Sequence, residues 1–477
     1  MLIRQAEINF SEMVDLRIAL GRIAAIGPRL QAQGDEEIIE ADGGALLPGL
    51  RDHHLHLASL AASRASLQCG PPQAHTAEQL AARLKAQSGS AGWLRGIGYH
   101  ESVAGEIDRH WIDRHLSSRP VRIQHRGGRL WVLNSMALQV LGVWDRGDDP
   151  LERIDGKLSG RLYDNDRWLR QRLGRERPDL AEISCHLASL GVIGVTDTSP
   201  GNSPEELLWL RQAQRRGELL QEVLAMGDAS LDGFTAEPAE AAASVSAAPR
   251  LMIGPRKFHL HEAHLPDYDD LCTDIRRAHR AARNVAFHCV TRAELVFTLG
   301  ALREAGARPG DRIEHASVTP PELLEEFRDL GLIVVSQPGF IAERGDQYLD
   351  EVDAADQPWL YRLKAFLDAG VPLAGSTDAP FGMAEPWRAM QAAVSRCSAK
   401  GRVMGAAEAL SPEESLALFT APLDAPGRPL PRLEVGAPAD LCLLHAGWRG
   451  VRADLAGIRP RLTLRGGRVI WAVSNPP

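Results

Sequence analysis

Residues 48–56 read Pro48-Gly49-Leu50-Arg51-Asp52-His53-His54-Leu55-His56 and join an apolar run to a His-x-His pair through a Pro-Gly turn. Successive side chains of a strand point to opposite faces, so a strand here places Asp52, His54 and His56 on one face and His53 on the other. At this spacing both imidazoles can reach one first-row metal ion, with a carboxylate behind them. A buried strand with incidental histidines would fit the same residues, so the rest of the chain must decide.

The composition is that of an ordinary soluble protein with a substantial core. The chain has 477 residues, 44% of them hydrophobic, with 62 acidic and 54 basic residues and a formal net charge of -8. An acidic chain without a long basic run disfavours nucleic acid as a partner. No apolar stretch approaches the roughly 20 residues that a membrane span requires, and the first residues lack the apolar core of a signal peptide. We therefore expect a small molecule as the partner.

The cysteines indicate a reducing compartment. They form no Cys-x-x-Cys pair and lack the density of a disulfide framework, so we expect a cytoplasmic protein. The six are Cys69, Cys185, Cys272, Cys289, Cys397 and Cys442. The sequence leaves the oligomeric state open, with a homo-oligomer as one option.

Short strands broken by polar turns fill both ends of the chain, which predicts one composite β-sandwich domain from residues 1–47 and 431–477. From about residue 178 the pattern changes to helices alternating with apolar strands, as in a parallel sheet covered by helices. Eight strands fit a (β/α)8 TIM barrel over 48–430 better than a doubly wound open sheet. Their predicted ranges are 45–53, 192–198, 220–226, 256–262, 284–290, 312–317, 332–337 and 371–378.

The first two of these strands are separated by far more chain than one crossover needs. We therefore predict an insertion at about residues 64–180, after the first barrel strand. An insertion at that point would lie over the C-terminal rim of the barrel, where loops build the sites of barrel enzymes.

Ligand-type residues stand near the carboxyl ends of five predicted barrel strands. Each alone could be a core histidine with a satisfied hydrogen bond, a lysine reaching the barrel rim, or an aspartate that caps a helix. Together they are hard to attribute to packing, because every buried polar group needs a partner and a metal ion would satisfy several at once. These residues are His54, His56, Lys257, His259, His261, His288, His315 and Asp378.

The chain resembles the metal-dependent amidohydrolase superfamily over nearly its whole length. The resemblance rests on Pro-Gly-x-x-Asp-x-His-x-His at 48–56, the strand lysine, the strand-end histidine, Arg-Ile-Glu-His-Ala at 312–316 and Gly-Ser-x-Asp-Ala-Pro at 375–380. The order of these motifs and the Asn-Ser-Met-Ala-Leu run at 134–138 resemble the branch that includes N-substituted formamide deformylase. The resemblance is strong for the superfamily and weak for the substrate.

The resemblance implies a ligand set and its roles. His54 and His56 would bind the more buried metal, His288 and His315 the second, and Asp378 would bind metal and act as general base. Lys257 would bridge the two as a carbamate formed with carbon dioxide. One or two divalent ions, with zinc the expected metal, would lower the pKa of bound water from 15.7 to about 7.

Three stretches depart from the branch pattern and affect the substrate rather than the metal. Gly127-Gly128-Arg129 stands where relatives carry Asp-Gly-His, Cys289-Val290-Thr291-Arg292 where they often have Gly-Asp, and extra histidines follow Phe258. The planar fork of Arg129 suits an anionic group of the substrate, although a solvated arginine in a tight turn would look the same. His261 and Tyr163 are further candidates for lining that pocket.

The sequence therefore favours a hydrolase that cleaves a C–N bond of an amide, cyclic amide or similar small molecule by attack of metal-bound hydroxide. A deaminase or related hydrolase of a heteroaromatic ring would use the same scaffold and chemistry. A catalytically silent scaffold protein of the same fold is a third alternative. The complete ligand set argues against it, since a silent relative should have lost at least one ligand.

Overall fold

The computed structural model describes residues 1–89, 91–144, 147, 149–174, 177–234 and 249–473. Two compact units make up the chain, one of Met1–Leu57 with Leu180–Pro477 and the other of Ala58–Asp179. The end of the predicted terminal domain, at 474–477, lies outside the described residues. The domain boundaries expected from the sequence stay a prediction.

Eight parallel strands form the central sheet of the first unit, and hydrogen bonds pair each strand with its neighbours in chain order. This sheet confirms the predicted (β/α)8 barrel. The strands are β1 Leu50–Leu55, β2 Val192–Asp197, β3 Glu222–Gly227, β4 Leu251–His259, β5 Val285–Cys289, β6 Arg312–His315, β7 Ile333–Ser336 and β8 Leu373–Gly375.

Hydrogen bonds just beyond β8 close the sheet onto β1. The Asp378 N–H donates to the His54 carbonyl at 2.8 Å, and the His56 N–H donates to the Ala379 carbonyl at 2.9 Å. The Asp52 carboxylate accepts from the backbone N–H of Thr377 at 3.1 Å and from the Thr377 hydroxyl. The buried carboxylate of Asp52 therefore links the first strand to the segment after the last one, where few backbone hydrogen bonds join them.

Helices follow most barrel strands, and capping residues fix the starts of several. Ser411 and Glu414 form a reciprocal capping box on either side of Pro412, which satisfies two of the free N–H groups at that helix start. Gly191 ends the helix before β2 with a φ of +87°, a backbone angle that residues other than glycine rarely adopt. The α-helices are Leu57–Arg64, Ala77–Lys85, Glu101–Ala104, Arg109–His115, Ser135–Val140, Asp166–Leu173, Ala181–Ser189, Pro204–Arg216, Tyr268–Arg280, Arg292–Ala305, Leu324–Asp329, Gly339–Glu351, Lys364–Asp368, Pro386–Ser395, Pro412–Ala417 and Trp448–Val451.

Both ends of the chain contribute to two four-stranded sheets. One sheet holds Leu2–Ile8, Glu12–Ala19, Arg22–Gly27 and Ile38–Glu40, and the other holds Leu46–Pro48, Leu441–Leu443, Leu462–Arg465 and Arg468–Ala472. Ile3 and Leu16 of the first sheet share one apolar core with Leu441 and Leu464 of the second. Burying these apolar faces together holds the two ends of the chain in place.

The second unit has its own sheet and cores. Its five strands lie in the order Arg161–Tyr163, Leu130–Leu133, Val121–His125, Leu94–Tyr99 and Leu67–Gln68, beside a two-stranded pair of Arg153–Ile154 and Lys157–Leu158. Buried side chains such as Leu80 and Ile123 form one core, and Leu138 and Leu162 belong to a second. Across the described part of the chain, no helix combines the length and apolarity needed to cross a membrane.

Candidate metal centre

Three side chains from the closing seam of the barrel converge at its carboxyl end. His54 and His56 leave the end of β1, and Asp378 stands in the turn after β8 with a φ of 54°. Their ligand atoms lie within 4.8 Å of one another. The Oδ1 of Asp378 is 3.5 Å from the Nε2 of His54 and 3.3 Å from the Nε2 of His56. Two imidazole nitrogens and a carboxylate at this range form a donor set for a divalent ion.

The orientation of His54 is set by a buried carboxylate on β6. The Nδ1 of His54 lies 2.6 Å from the Oε2 of Glu314, so this nitrogen carries the proton and Nε2 keeps its lone pair. Glu314 is fully buried and also accepts from the guanidinium of Arg312 at 2.9 and 3.3 Å. Burial raises the pKa of Glu314, but Arg312, Lys257 and His54 lower it further, so the carboxyl is ionised.

Histidines from β4, β5 and β6 continue the same cluster. The His315 ring lies 4.9 Å from the His54 ring and 4.5 Å from the His288 ring, measured between centroids. His259 is next, 4.4 Å from His288. Burial lowers the pKa values of His288 and His315. Both rings are therefore neutral at pH 7, which is the form that binds a metal.

His315 is oriented much as His54 is, by an amide instead of a carboxylate. Its Nδ1 lies 2.7 Å from the Oε1 of Gln337, whose amide nitrogen donates to Ser376 at 2.9 Å. The second hydrogen bond fixes which end of the amide faces the histidine, so Nδ1 carries the proton. The Nε2 of His315 is then left with a lone pair.

Lys257 of β4 brings an unsatisfied amine into the barrel. Among the described residues its buried Nζ has no hydrogen-bond partner. Burial lowers the pKa of Lys257 to about 8, an effect partly opposed by the carboxylates of Glu314 and Asp378. A buried, unpaired amine costs free energy unless a ligand or a modification satisfies it.

The residues present fit a divalent cation. Burial raises the pKa of Asp378, but His54, His56 and His315 lower it further, so the carboxyl is ionised. The Oδ1 of Asp378 is itself buried without a hydrogen-bond partner within the described structure. An ion at this point would satisfy the orphaned oxygen and the imidazole lone pairs together.

A second trio of possible ligands, in the other unit, has a different chemistry. The Nε2 atoms of His100 and His125 lie 3.5 and 3.1 Å from the same Glu101 oxygen. Each Nδ1, however, accepts a backbone N–H, from Ser102 and Gly127 respectively. The proton of each neutral ring is then on Nε2, and His125 donates it to Glu101 at 3.1 Å, so neither ring offers a free lone pair to an ion.

The predicted substrate-binding residues belong to different parts of the chain. Arg129 and Tyr163 lie in the second unit, where the guanidinium of Arg129 is held by the Asp164 carboxylate through Nε and Nη2. Tyr163 is 45% exposed. His261 follows β4 in the first unit, and its buried Nδ1 has no partner among the described residues. Their roles in substrate binding stay a prediction.

Sequence reasoning missed the residues that support the ligands. Arg312 and Glu314 are two apart in an apolar strand, so their side chains share a face, and that pattern could have identified the pair. The partner of Glu314 lies 260 positions away in the chain, at His54. Asp52 accepts the His54 backbone N–H at 3.2 Å and binds Thr377. The carboxylate on the His54 ring is thus Glu314.

Comparison with known proteins agrees with a barrel hydrolase. The model of the Amidohydrolase family matches residues 37–471, so the chain belongs to that family and is an enzyme of the hydrolase class. The N-substituted formamide deformylase of Arthrobacter pascens is 24% identical, over 89% of this chain and 88% of the deformylase.

Solved structures share the fold. An uncharacterized metal-dependent hydrolase from Pyrococcus horikoshii OT3 has a TM-score of 0.72 at 21% identity, over 98% of this chain and 99% of that one. A triazine hydrolase variant has a TM-score of 0.56 at 16% identity, over 100% of this chain and 95% of that one. At these identities the likeness establishes the architecture and leaves the substrate to be argued from the site.

Proposed function

We propose that the chain hydrolyses a C–N bond of a small amide or cyclic amide, using one or two divalent ions, with zinc the expected metal. The observation that carries the proposal is the convergence of His54, His56 and Asp378 within 4.8 Å at the carboxyl end of the barrel, where barrel enzymes place their catalytic groups. His288 and His315 supply the donors for a second ion. The similarity to a deformylase of N-substituted formamides supports the choice of bond.

A bound divalent ion supplies the Lewis acidity that polarises a carbonyl and lowers the pKa of water. The chain's own residues do the rest. Asp378 is ionised and can accept a proton at its carboxylate oxygens. Glu314 and Gln337 keep the Nδ1 protons of His54 and His315 in place, so both Nε2 lone pairs would be available to hold a bound ion.

Lys257 is proposed to carry a carbamate. The neutral amine would form an N–C bond with carbon dioxide and release one proton, giving an anionic ligand at the end of the side chain. A pKa of about 8 makes the neutral amine accessible near neutral pH. Two supports are the orphaned Nζ and its place on the strand that also ends in His259. Density for a plain lysine pointing away from the metal, in crystals grown with bicarbonate, would refute this.

Two finer expectations join the proposal. The six cysteines are unpaired thiols, which supports a reducing cytoplasmic location.

An anionic group on the substrate could use Arg129 only if it replaced Asp164 on the guanidinium. Arg129→Ala should then lower kcat/KM for an anionic substrate, by an amount that corresponds to a loss of about 1.5 to 3 kcal/mol of transition-state stabilisation. Unchanged kcat/KM would return Arg129 to a structural role with Asp164.

Metal analysis of protein purified without chelator, joined to a substrate screen, tests the proposal. A His54→Ala/His56→Ala variant should lose metal and activity while keeping its fold, because rim residues contribute little to the core. The control is His75→Ala/His445→Ala, since both of these histidines are exposed. Full metal content in the His54→Ala/His56→Ala variant would contradict the ligand assignment. Amides, cyclic amides and heteroaromatic amines belong in the same screen, so that the deaminase alternative is tested directly.

A further inference from the structure

A cavity of about 610 Å³ lies in the first unit beyond the carboxyl ends of the central barrel strands. Its size falls within the roughly 300 to 1,000 Å³ of sites for small molecules. Its walls come from the segments after β4, β5 and β6 and from the helix after β7. They include Glu262, Val290, Arg292, Val296, Ser317 and Tyr361.

The cavity neighbours the candidate metal centre in the chain and in packing. Val290 is two residues beyond His288, and Ser317 is two residues beyond His315. One apolar cluster contains Phe381 together with the wall residues Val318, Tyr348, Val352, Leu360 and Tyr361. The Phe381 ring lies 5.3 Å from the His56 ring between centroids. A molecule whose reacting group meets the histidine cluster can therefore extend a side group into this space.

The chemistry of the walls selects against an anion. The charged side chains of the walls are Glu262, Asp356 and Arg292, which give a net formal charge of -1. The single cation is already paired, with Nη1 of Arg292 3.3 Å from Asp356. Most of the remaining walls are valine, leucine and tyrosine. An uncharged apolar group loses little on entering such a space, whereas a carboxylate would be desolvated beside like charge.

We propose that this cavity receives an uncharged branched or aromatic group of the substrate, carried next to the scissile C–N bond. The proposal rests on the proposed function for the reaction, but its geometry is independent of the metal. The hydroxyls of Tyr348 and Tyr361 lie 3.1 Å apart at the cavity wall and would mark one polar point within it. The preferred substrates are thus small amides whose substituent at this cavity is bulky, apolar and uncharged.

Filling the cavity from two walls tests the proposal. Val290 and Val296 are 38% and 52% exposed, so tryptophan can be introduced there without rebuilding the core. In the metal-loaded enzyme, Val290→Trp/Val296→Trp should lower kcat/KM for N-(cyclohexylmethyl)acetamide at least about tenfold more than kcat/KM for N-methylacetamide, mainly through KM. Val435→Trp is the control, a 60% exposed valine outside the cavity walls. An equal change for both amides would overturn the proposal.

A binding measurement separates this proposal from the proposed function. Cyclohexylmethanol, which contains no C–N bond, is titrated into each protein and followed by ligand-observed NMR. Binding to the wild type and the control, with loss in the double variant, supports the cavity even if no amide is turned over. The cavity assignment is overturned if the wild type does not bind this probe, or if the double variant binds it as well as the wild type does. Turnover of amides alongside either result leaves the proposed reaction supported. Thermal unfolding of both variants verifies that each is folded.

Discussion

Glu314→Gln should weaken both the barrel and the metal centre. The carboxylate of Glu314 is fully buried and sits between the guanidinium of Arg312 and the Nδ1 of His54. Glutamine keeps the shape and one accepting oxygen, but it removes the charge. Arg312 is 2% exposed, so its positive charge would be left without its buried counter-ion.

The magnitude follows from these contacts. Removing one partner of a buried ion pair costs about 3 to 5 kcal/mol, and the retained oxygen places the expected loss near the lower end, about 3 kcal/mol. Losing the carboxylate behind a metal-binding histidine reduces metal affinity by about 10 to 100-fold. That ratio corresponds to about 1.4 to 2.7 kcal/mol of binding free energy.

Two assays measure the two effects separately. Urea unfolding of the metal-free protein gives the change in stability, and competition with a chelator gives the change in metal affinity. Glu408→Gln is the matched control, because Glu408 is 7% exposed and pairs with Arg362 at 3.0 Å. Its other partner is the backbone N–H of Ala365, so neither partner is a candidate ligand. The control should lose stability and keep its metal affinity.

Three results would contradict the proposed roles of Glu314. Metal affinity within about twofold of the wild type in Glu314→Gln would show that Glu314 does not position His54. Unchanged unfolding in urea would show that the Arg312 charge is satisfied without Glu314. A loss of metal affinity in Glu408→Gln as large as in Glu314→Gln would mean that general destabilisation, not the hydrogen bond to His54, explains the effect.

Three further outcomes are expected. Thr377→Val should lower stability by about 1 to 3 kcal/mol in urea unfolding, because the buried Asp52 carboxylate loses a donor at the barrel seam; an unchanged midpoint would contradict this. Burial raises the pKa of the Asp166 carboxyl above 3.8, so the folded chain holds the carboxyl proton more tightly than the unfolded chain does. The stability that the protonated Asp166 contributes is therefore lost as the pH rises through the raised pKa. Asp166→Asn should remove that decline, and identical pH profiles would refute it. Chelation should lower the Tm, and excess zinc should restore it. At a free zinc concentration of about a hundred times Kd, binding should add about 2.7 kcal/mol to the free energy of unfolding. A Tm insensitive to both treatments would contradict a site bound only in the folded state.

Much of the barrel could be predicted from local pattern. Apolar strands, capped helices and the spacing of ligand-type residues are short-range properties, and each of the eight predicted strand ranges overlaps an observed strand. The histidines at the ends of β1, β5 and β6 were found because parallel strands present their carboxyl ends at one edge. The period of two in a strand similarly placed His54 and His56 on one side.

Pairings across the chain were decided by the tertiary structure alone. Glu314 reaches His54 and Asp52 reaches Thr377, across 260 and 325 positions, and no local period encodes such partners. Arg129 looked free for an anion until the fold brought Asp164 to it. The sequence by itself determined the barrel, the edge that carries the ligand-type residues and the donor types, because these follow from periodicity and chemistry. Closure of the barrel decided which carboxylate orients which histidine and where an apolar cavity opens, because both depend on strands that meet only when the sheet curls.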